Sequence, residues 1–217
     1  NIKHIDQSLI LWRSSSQWIG GLYFLFSLIL LIDIFDTTLK KSLTNFLSFS
    51  TSETIKQSFK ILILYSTLTF VIFIILNFFN FRTFDAFNLS MTLISSGGFL
   101  PVNDLSDILT SKLKQIILAL GMLVSFFSLF LSYNLISKKK NTNFFQEDFY
   151  LLIYFFLITL LFFVIFNDGD FSVLFLAITS SISNIGFSIN SDYDNKVFLF
   201  LILSIIGGSF FSTSSGI

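Results

Sequence analysis

The chain has 217 residues, 53% of them hydrophobic and only 12% charged, with 32 Phe, one Pro and a mean hydropathy of +0.82. A soluble domain of this length needs far more charge to cover its surface, so lipid is the expected solvent around most of the chain. Thirteen basic and thirteen acidic residues cancel, leaving no electrostatic footprint for a nucleic acid, and with no cysteine there is neither a disulfide framework nor a thiolate metal site.

The opening residues, NIKHIDQSLILWRSSSQWIGG, begin without Met and lack the basic, apolar and small-residue regions of a signal peptide. The last residues, STSSGI, follow directly on a hydrophobic run. Both ends read as cuts, and the sequence is expected to be a fragment.

A membrane helix needs about 20 mainly apolar residues. Residues 18–35 offer the first such window, reaching back toward Leu9; 61–79, 113–136 and 149–166 offer three more; and 197–206 starts a fifth that breaks at Gly207-Gly208. Buried helices of a soluble protein are the alternative, and four such windows in so short a chain argue against it. Between the second and third windows lies FDAFNLSMTLISSGGF, and between the fourth and fifth lies DFSVLFLAITSSISNIGF. The apolar part of each is about 10 to 12 residues, too short to span and suited to a re-entrant helix, after which the Gly-bearing run returns as irregular chain.

These two regions are built alike. Sliding the sequence by 88 residues puts Gly98-Phe99 on Gly186-Phe187, Ser95 on Ser183, Phe87 on Phe175 and Lys60 on Asp148. The unit of span, short re-entrant helix, polar turn and span therefore occurs twice. Lys40, Lys41, Lys56, Lys60 and Lys138 to Lys140 fall on one side of this arrangement; Asp104, Asp107, Asp168, Asp170, Asp192 and Asp194 fall on the other. The positive-inside rule makes the lysine side cytoplasmic and opens both Gly-Phe turns to the outside.

Irregular backbone at membrane depth survives only inside protein or along a watery cavity, because each unpaired amide or carbonyl facing lipid costs several kcal/mol. Carbonyls lining such a cavity can replace the water around a cation, and glycine leaves room for it. Ser95, Ser96, Gly97 and Gly98, with Ser183, Asn184, Ile185 and Gly186, are the candidate cation-lining residues. Asp85 and Asp170 sit near the starts of the short helices, where a carboxylate suits the helix dipole; simple surface caps are the plainer reading. Phe99 and Phe187 are expected to be packing wedges.

Residues 204–217, SIIGGSFFSTSSGI, form a third polar intrusion. They begin roughly 15 to 18 Å below Lys196 at helical rise, near the middle of a core of about 30 Å. Gly207, Gly208, Ser209, Ser212, Thr213 and Ser214 are the candidate gate. The ordinary aqueous end of a helix is the alternative.

The remaining singular residues are read plainly. His4 has no partners for a metal site or proton shuttle, Arg13 belongs to headgroups or packing at the outer mouth, Trp12 and Trp18 to an interfacial belt, and Asp33 to the inner headgroup region. Ser66, Thr67 and Thr69 can hydrogen-bond across helices.

Taken together, LWRSSSQWIGG (11–21), MTLISSGGF (91–99), SSISNIGF (180–187) and IIGGSFFSTSSGI (205–217) resemble, in this order, the Trk/Ktr/HKT superfamily of potassium transporters, and especially its TrkH-type membrane subunits. The resemblance implies an all-α integral membrane fold of repeated helix, re-entrant pore-helix, filter-loop and helix units. On that register residues 9–35 are the second helix of unit one, 60–136 are unit two, and 148–217 are an incomplete unit three with a broken last helix. It implies filters at 95–98 and 183–186, a gating intramembrane loop after residue 206, a bacterial inner-membrane setting, a homodimer, and a cytoplasmic nucleotide-binding ring as regulatory partner. Phe211 and Ser215 stand where the family usually has Gly, and Asn184-Ile185 where it is Thr-rich.

The implied activity is passage of potassium, by channel or symport, with no bond made and no cofactor. A sodium-selective or sodium-coupled relative is the runner-up. A structural membrane subunit is a further alternative, and a lipid-modifying enzyme would need a convergent base and nucleophile set that the sequence does not provide.

Overall fold

The computed structural model describes residues 6–35, 54–127, 142–166, 170–187, 197–206, 208–209 and 212–214, with the side chains of 29–35, 54–57, 142–148 and 197 left aside. His4, Lys40, Lys41, Lys138 to Lys140, Asp168, Asp192, Asp194, Gly207, Phe211, Ser215 and the side chains of Asp33 and Lys56 lie outside the described residues.

The described residues are all-α. Seven α-helices run in chain order: α1 Gln7–Phe35, α2 Thr54–Phe78, α3 Thr83–Ile94, α4 Lys112–Phe126, α5 Thr142–Ile165, α6 Phe171–Ile182 and α7 Val197–Ile206, with a short 3₁₀ turn at Leu105–Asp107. Within α2, Ser58–Phe78 is long and apolar enough to cross a bilayer. Its outward positions, among them Phe59, Ile63, Phe70 and Ile74, stay exposed, as do Phe156 and Leu160 on α5. A water-facing helix would carry charge at such positions, so this is the pattern of an α-helical membrane protein.

Helices α3 and α6 are twelve residues each and start 88 positions apart. Both begin after an extended residue, Arg82 (φ −60°, ψ 132°) and Asp170 (φ −61°, ψ 119°). Each is the best-packed helix of its region. Leu89, Leu93 and Ile94 on α3 and Ile178 on α6 are fully buried. An edge-to-face contact joins α3 to α2 through Phe73 and Phe87, with centroids 5.7 Å apart, and Phe155 joins α5 to Phe175 of α6 at 5.9 Å.

Longer-range packing repeats as well. Helix α1 lies against α3, and α4 lies against α6. Ser15 Oγ donates to Met91 Sδ across the first pair at 3.9 Å, and Thr179 Oγ1 donates to Met122 Sδ across the second at 3.7 Å. Since Met91 and Thr179 are 88 residues apart, the hydroxyl–thioether contact recurs with its two ends exchanged.

Helix α4 differs from its expectation. The apolar pattern predicts continuous helix over 113–136, but α4 ends at Phe126 and Phe127 is extended (φ −81°, ψ 156°). Ser125 Oγ donates to the Met122 carbonyl at 2.7 Å, the backward bond through which serine competes with the helix ladder. The hydropathy of 127–136 carried no sign of this break.

Candidate functional site

The two polar turns share one hydrogen-bond plan at the 88-residue spacing. Ser95 N–H donates to the Met91 carbonyl and Ser183 N–H to that of Thr179; Ser96 N–H donates to Leu93 and Asn184 N–H to Ser181; Gly97 N–H donates to Thr92 and Ile185 N–H to Ser180. Beyond each turn the chain is tied back by a hydroxyl. Thr92 Oγ1 donates to the Phe99 carbonyl at 3.1 Å, and Ser180 Oγ donates to the Phe187 carbonyl at 2.7 Å. The reversal in each turn is a left-handed residue, Ser96 (φ 49°) or Asn184 (φ 56°), the conformation that ends many helices. Thr92 and Ser180 were missed in the sequence reading, although the same slide superposes them as a pair of hydroxyl residues.

Gly98 and Gly186 hold equivalent places for different reasons. A Cβ on Gly98 would lie 2.7 Å from the Ile185 carbonyl oxygen, so the two turns approach each other here. Gly186 has open space around it but sits at φ +77°, which L side chains disfavour. Both glycines are exposed, while Gly97, Ser183 and Ile185 are buried. Among the described residues no hydrogen bond ends on the carbonyls of Ser95, Gly97, Gly98, Ser183, Ile185 or Gly186.

Helix α1 braces the first turn. A Cβ on Gly97 would run into the Gln17 carboxamide, and one on Gly21 would lie 2.6 Å from the Tyr65 hydroxyl and 3.0 Å from Ser95 Cβ. Trp18 Nε1 donates to Thr69 Oγ1 at 2.9 Å, and its ring lies 5.1 Å from that of Tyr65. Trp18 is therefore a packing residue between α1 and α2, not the interfacial belt residue expected; Trp12, 68% exposed, keeps the outward position. Arg13 lies over the Phe99 ring at 4.3 Å. Phe187 is buried, whereas Phe99 is 42% exposed beneath that guanidinium, so only Phe187 is a fully packed wedge.

Asp85 is in the first turn of α3 and buried; burial pushes its carboxyl above the ordinary range, and Arg82 pulls it back. Asp170 precedes α6 without a side-chain capping bond. It pairs instead with Lys112 at 2.6 Å, across the starts of α4 and α6.

The segment after α7 reaches both turns. Thr213 Oγ1 donates to the carbonyl of Ile94, the last residue of α3, at 2.8 Å, and Ser96 Oγ donates to Thr213 Oγ1 at 3.3 Å. Asn184 Nδ2 donates to the Ser214 carbonyl at 2.8 Å. Ser209 N–H donates to the carbonyl of Phe126, at the break of α4, at 2.9 Å. A Cβ on Gly208 would meet that same carbonyl at 2.6 Å. Ser209, Ser212 and Ser214 are buried. Thr213 and Ser214 thus sit against the C-terminal ends of α3 and α6, beside the candidate cation-lining residues, and Gly208 and Ser209 sit against the end of α4. That the end of α4 meets this segment is not foreshadowed by any local pattern in the residues, since Phe126 and Ser209 lie far apart along the chain.

The sequence matches no protein-family model and no curated protein. Among solved structures, the chain resembles the potassium transporter TrkH from Vibrio parahaemolyticus, with a TM-score of 0.76 and 17% sequence identity. The likeness covers 100% of this chain, which spans 47% of the TrkH chain. At that identity the likeness shows the fold alone. Among the described residues no group of three or more His, Cys, Asp or Glu is placed to hold a metal ion.

Proposed function

We propose that the chain is the central part of a pore-forming potassium uptake protein, in which dehydrated cations pass the turns at 95–98 and 183–186. The observation that carries this reading is the repeated turn itself. Two short helices, 88 residues apart, end in the same backbone reversal and bring Gly98 up to the Ile185 carbonyl. A structural subunit needs packing turns, but not two exposed glycines beside carbonyls that accept no hydrogen bond among the described residues. The C-terminal ends of α3 and α6 add partial negative charge at the same place.

On this reading residues 9–35, 60–136 and 148–217 are parts of three successive units, the segment after α7 is the gate, and the lysine-bearing side faces the cytoplasm. A dimer and a nucleotide-binding ring on that side complete the proposal. Transport of this kind makes and breaks no covalent bond.

The test uses the complete protein in a host lacking its own potassium uptake, measuring potassium-dependent growth and rubidium flux for the parent, Gly98→Ser and Gly186→Ser. The proposal expects parental flux, and either loss of flux or entry of sodium in the variants. A parent that moves sodium in preference to potassium would favour the sodium-selective relative. Variants indistinguishable from a transporting parent, or a parent that moves neither ion, would return the turns to a packing role.

A further inference from the structure

We infer that Arg13 is a specificity-determining residue that sorts cations by valence: its guanidinium, held on the Phe99 ring at the end of the first turn, keeps divalent ions back more than monovalent ones. This rests on the proposal that ions pass the two turns.

Helix α1 follows the first turn in step. A Cβ on Gly21 would lie 3.0 Å from Ser95 Cβ, one on Gly97 would run into the Gln17 carboxamide, and Arg13 Cζ stands 4.3 Å from the centre of the Phe99 ring. Each move of four residues back along α1 matches a move of two residues on along the turn. Four helical residues rise about 6 Å and two extended residues about 6.6 Å, so this register holds from Ser95 to Phe99. Gly98 lies within it, and the guanidinium stands one step beyond Gly98, where the chain leaves the turn. The ring itself is fixed from its other end, because Thr92 Oγ1 donates to the Phe99 carbonyl at 3.1 Å. The second turn is built without a charge at this place: Phe187 is 4% exposed, and among the described residues no cation lies over it.

A guanidinium keeps its proton at every working pH, and the face of an aromatic ring holds it in place. Among the described residues no carboxylate pairs with Arg13, so its charge stands uncompensated beside the turn. Coulomb energy grows with the charge of the approaching ion. A fixed cation that lowers monovalent occupancy of a nearby site by a factor of about two lowers divalent occupancy by the square of that, about fourfold. The surroundings give such a charge a purpose. Asp104 and Asp107 stand exposed in the loop that leaves the turn, and acidic groups attract a divalent ion with about twice the energy they give a monovalent one. A path fed from that loop would fill with divalent ions unless a positive charge stood further in. Arg13, half-buried and one helical turn from the residue that touches Gly97, occupies that position.

The test is block of rubidium uptake by external barium, a divalent ion close to potassium in size, with the complete protein in a host lacking its own potassium uptake and a medium of low ionic strength. The parent is compared with Arg13→Lys and Arg13→Gln. Arg13→Gln should lower the half-blocking barium concentration about fourfold, a difference that shrinks when an impermeant salt screens the charge, while Arg13→Lys should stay near the parent. An unchanged half-block in Arg13→Gln overturns the inference. So does an Arg13→Lys variant that shifts as far as Arg13→Gln, since packing on the ring would then matter and charge would not. Should Arg13→Gln fail to fold, Arg13→Cys decides, because these residues contain no other cysteine and one folded protein can be given a cationic or an anionic methanethiosulfonate adduct, with the parent treated alike. The cationic adduct should need more barium for half-block than the anionic one, and equal values overturn the inference. Gly98→Ser, run in parallel, separates the two levels of argument. If it alters flux or admits sodium while Arg13→Gln keeps the parental barium sensitivity, only the valence inference falls; if it is silent, or the parent carries no rubidium, the ion-path reading falls and this inference with it.

Discussion

Two equivalent glycines should fail in different ways when substituted. Alanine at 98 puts a methyl carbon 2.7 Å from the Ile185 carbonyl oxygen, whereas real Cβ atoms keep at least 3.0 Å. Ordinary contact begins at 3.4 Å, so the turns would have to part by about 0.7 Å. The obstacle is backbone of another turn, which cannot rotate away, and the overpacking cost is about 1–3 kcal/mol. Alanine at 186 meets nothing within 4 Å, and its cost comes only from φ +77°, about 1–2 kcal/mol.

Asparagine separates the cases. It tolerates left-handed backbone, and two of the three described non-glycine residues at positive φ, Asn80 and Asn184, are asparagines. Gly186→Asn should therefore be less destabilising than Gly186→Ala, while Gly98→Asn should be at least as harmful as Gly98→Ala. Thermal unfolding of the complete protein in detergent measures the order, with shifts of a few degrees per kcal/mol. A Gly186→Asn variant no better than alanine, or a Gly98→Ala variant as stable as the parent, would refute the reasoning.

Three further outcomes follow from the same geometry. Ser180→Ala and Thr92→Val each leave a carbonyl beyond a turn without its hydroxyl donor, at about 1–2 kcal/mol; the loss should be larger for Ser180, whose bond to buried Phe187 is 2.7 Å against 3.1 Å for Thr92 to half-exposed Phe99, and melting temperatures in detergent give the order. Gly97→Ala meets the movable end of Gln17, so its cost should shrink in a Gln17→Ala background, with a coupling of about 0.5–1 kcal/mol in a double-mutant cycle. Lys112→Ala breaks an ion pair whose side chains are 71% and 60% exposed, and melting at low and high salt should show a change below about 0.5 kcal/mol.

Some of this architecture was legible in the residues because its causes are local. The slide that pairs Gly98 with Gly186 rests on short polar runs ending apolar segments, and the same spacing carries the hydrogen bonds of both turns. Close approaches were not legible. Gly98 and Gly186 look alike in sequence, yet one is required by a neighbouring carbonyl and the other by its own dihedral. Trp18 carries the signature of an interfacial residue, but its indole N–H finds Thr69, 51 positions away, and only the crossing of α1 with α2 brings them together.

The break of α4 shows where local reasoning stops. Hydropathy favours continuing past Phe126, and nothing between 127 and 136 is a helix breaker of the Pro or Gly kind. What the break supplies is a free carbonyl at Phe126 that receives Ser209 N–H, so the end of α4 and the start of the segment after α7 satisfy each other. Inside a membrane that exchange is strongly favoured, because neither group has water to turn to. The helix end and the segment therefore belong to one polar system that also includes Thr213 at Ile94 and Asn184 at Ser214.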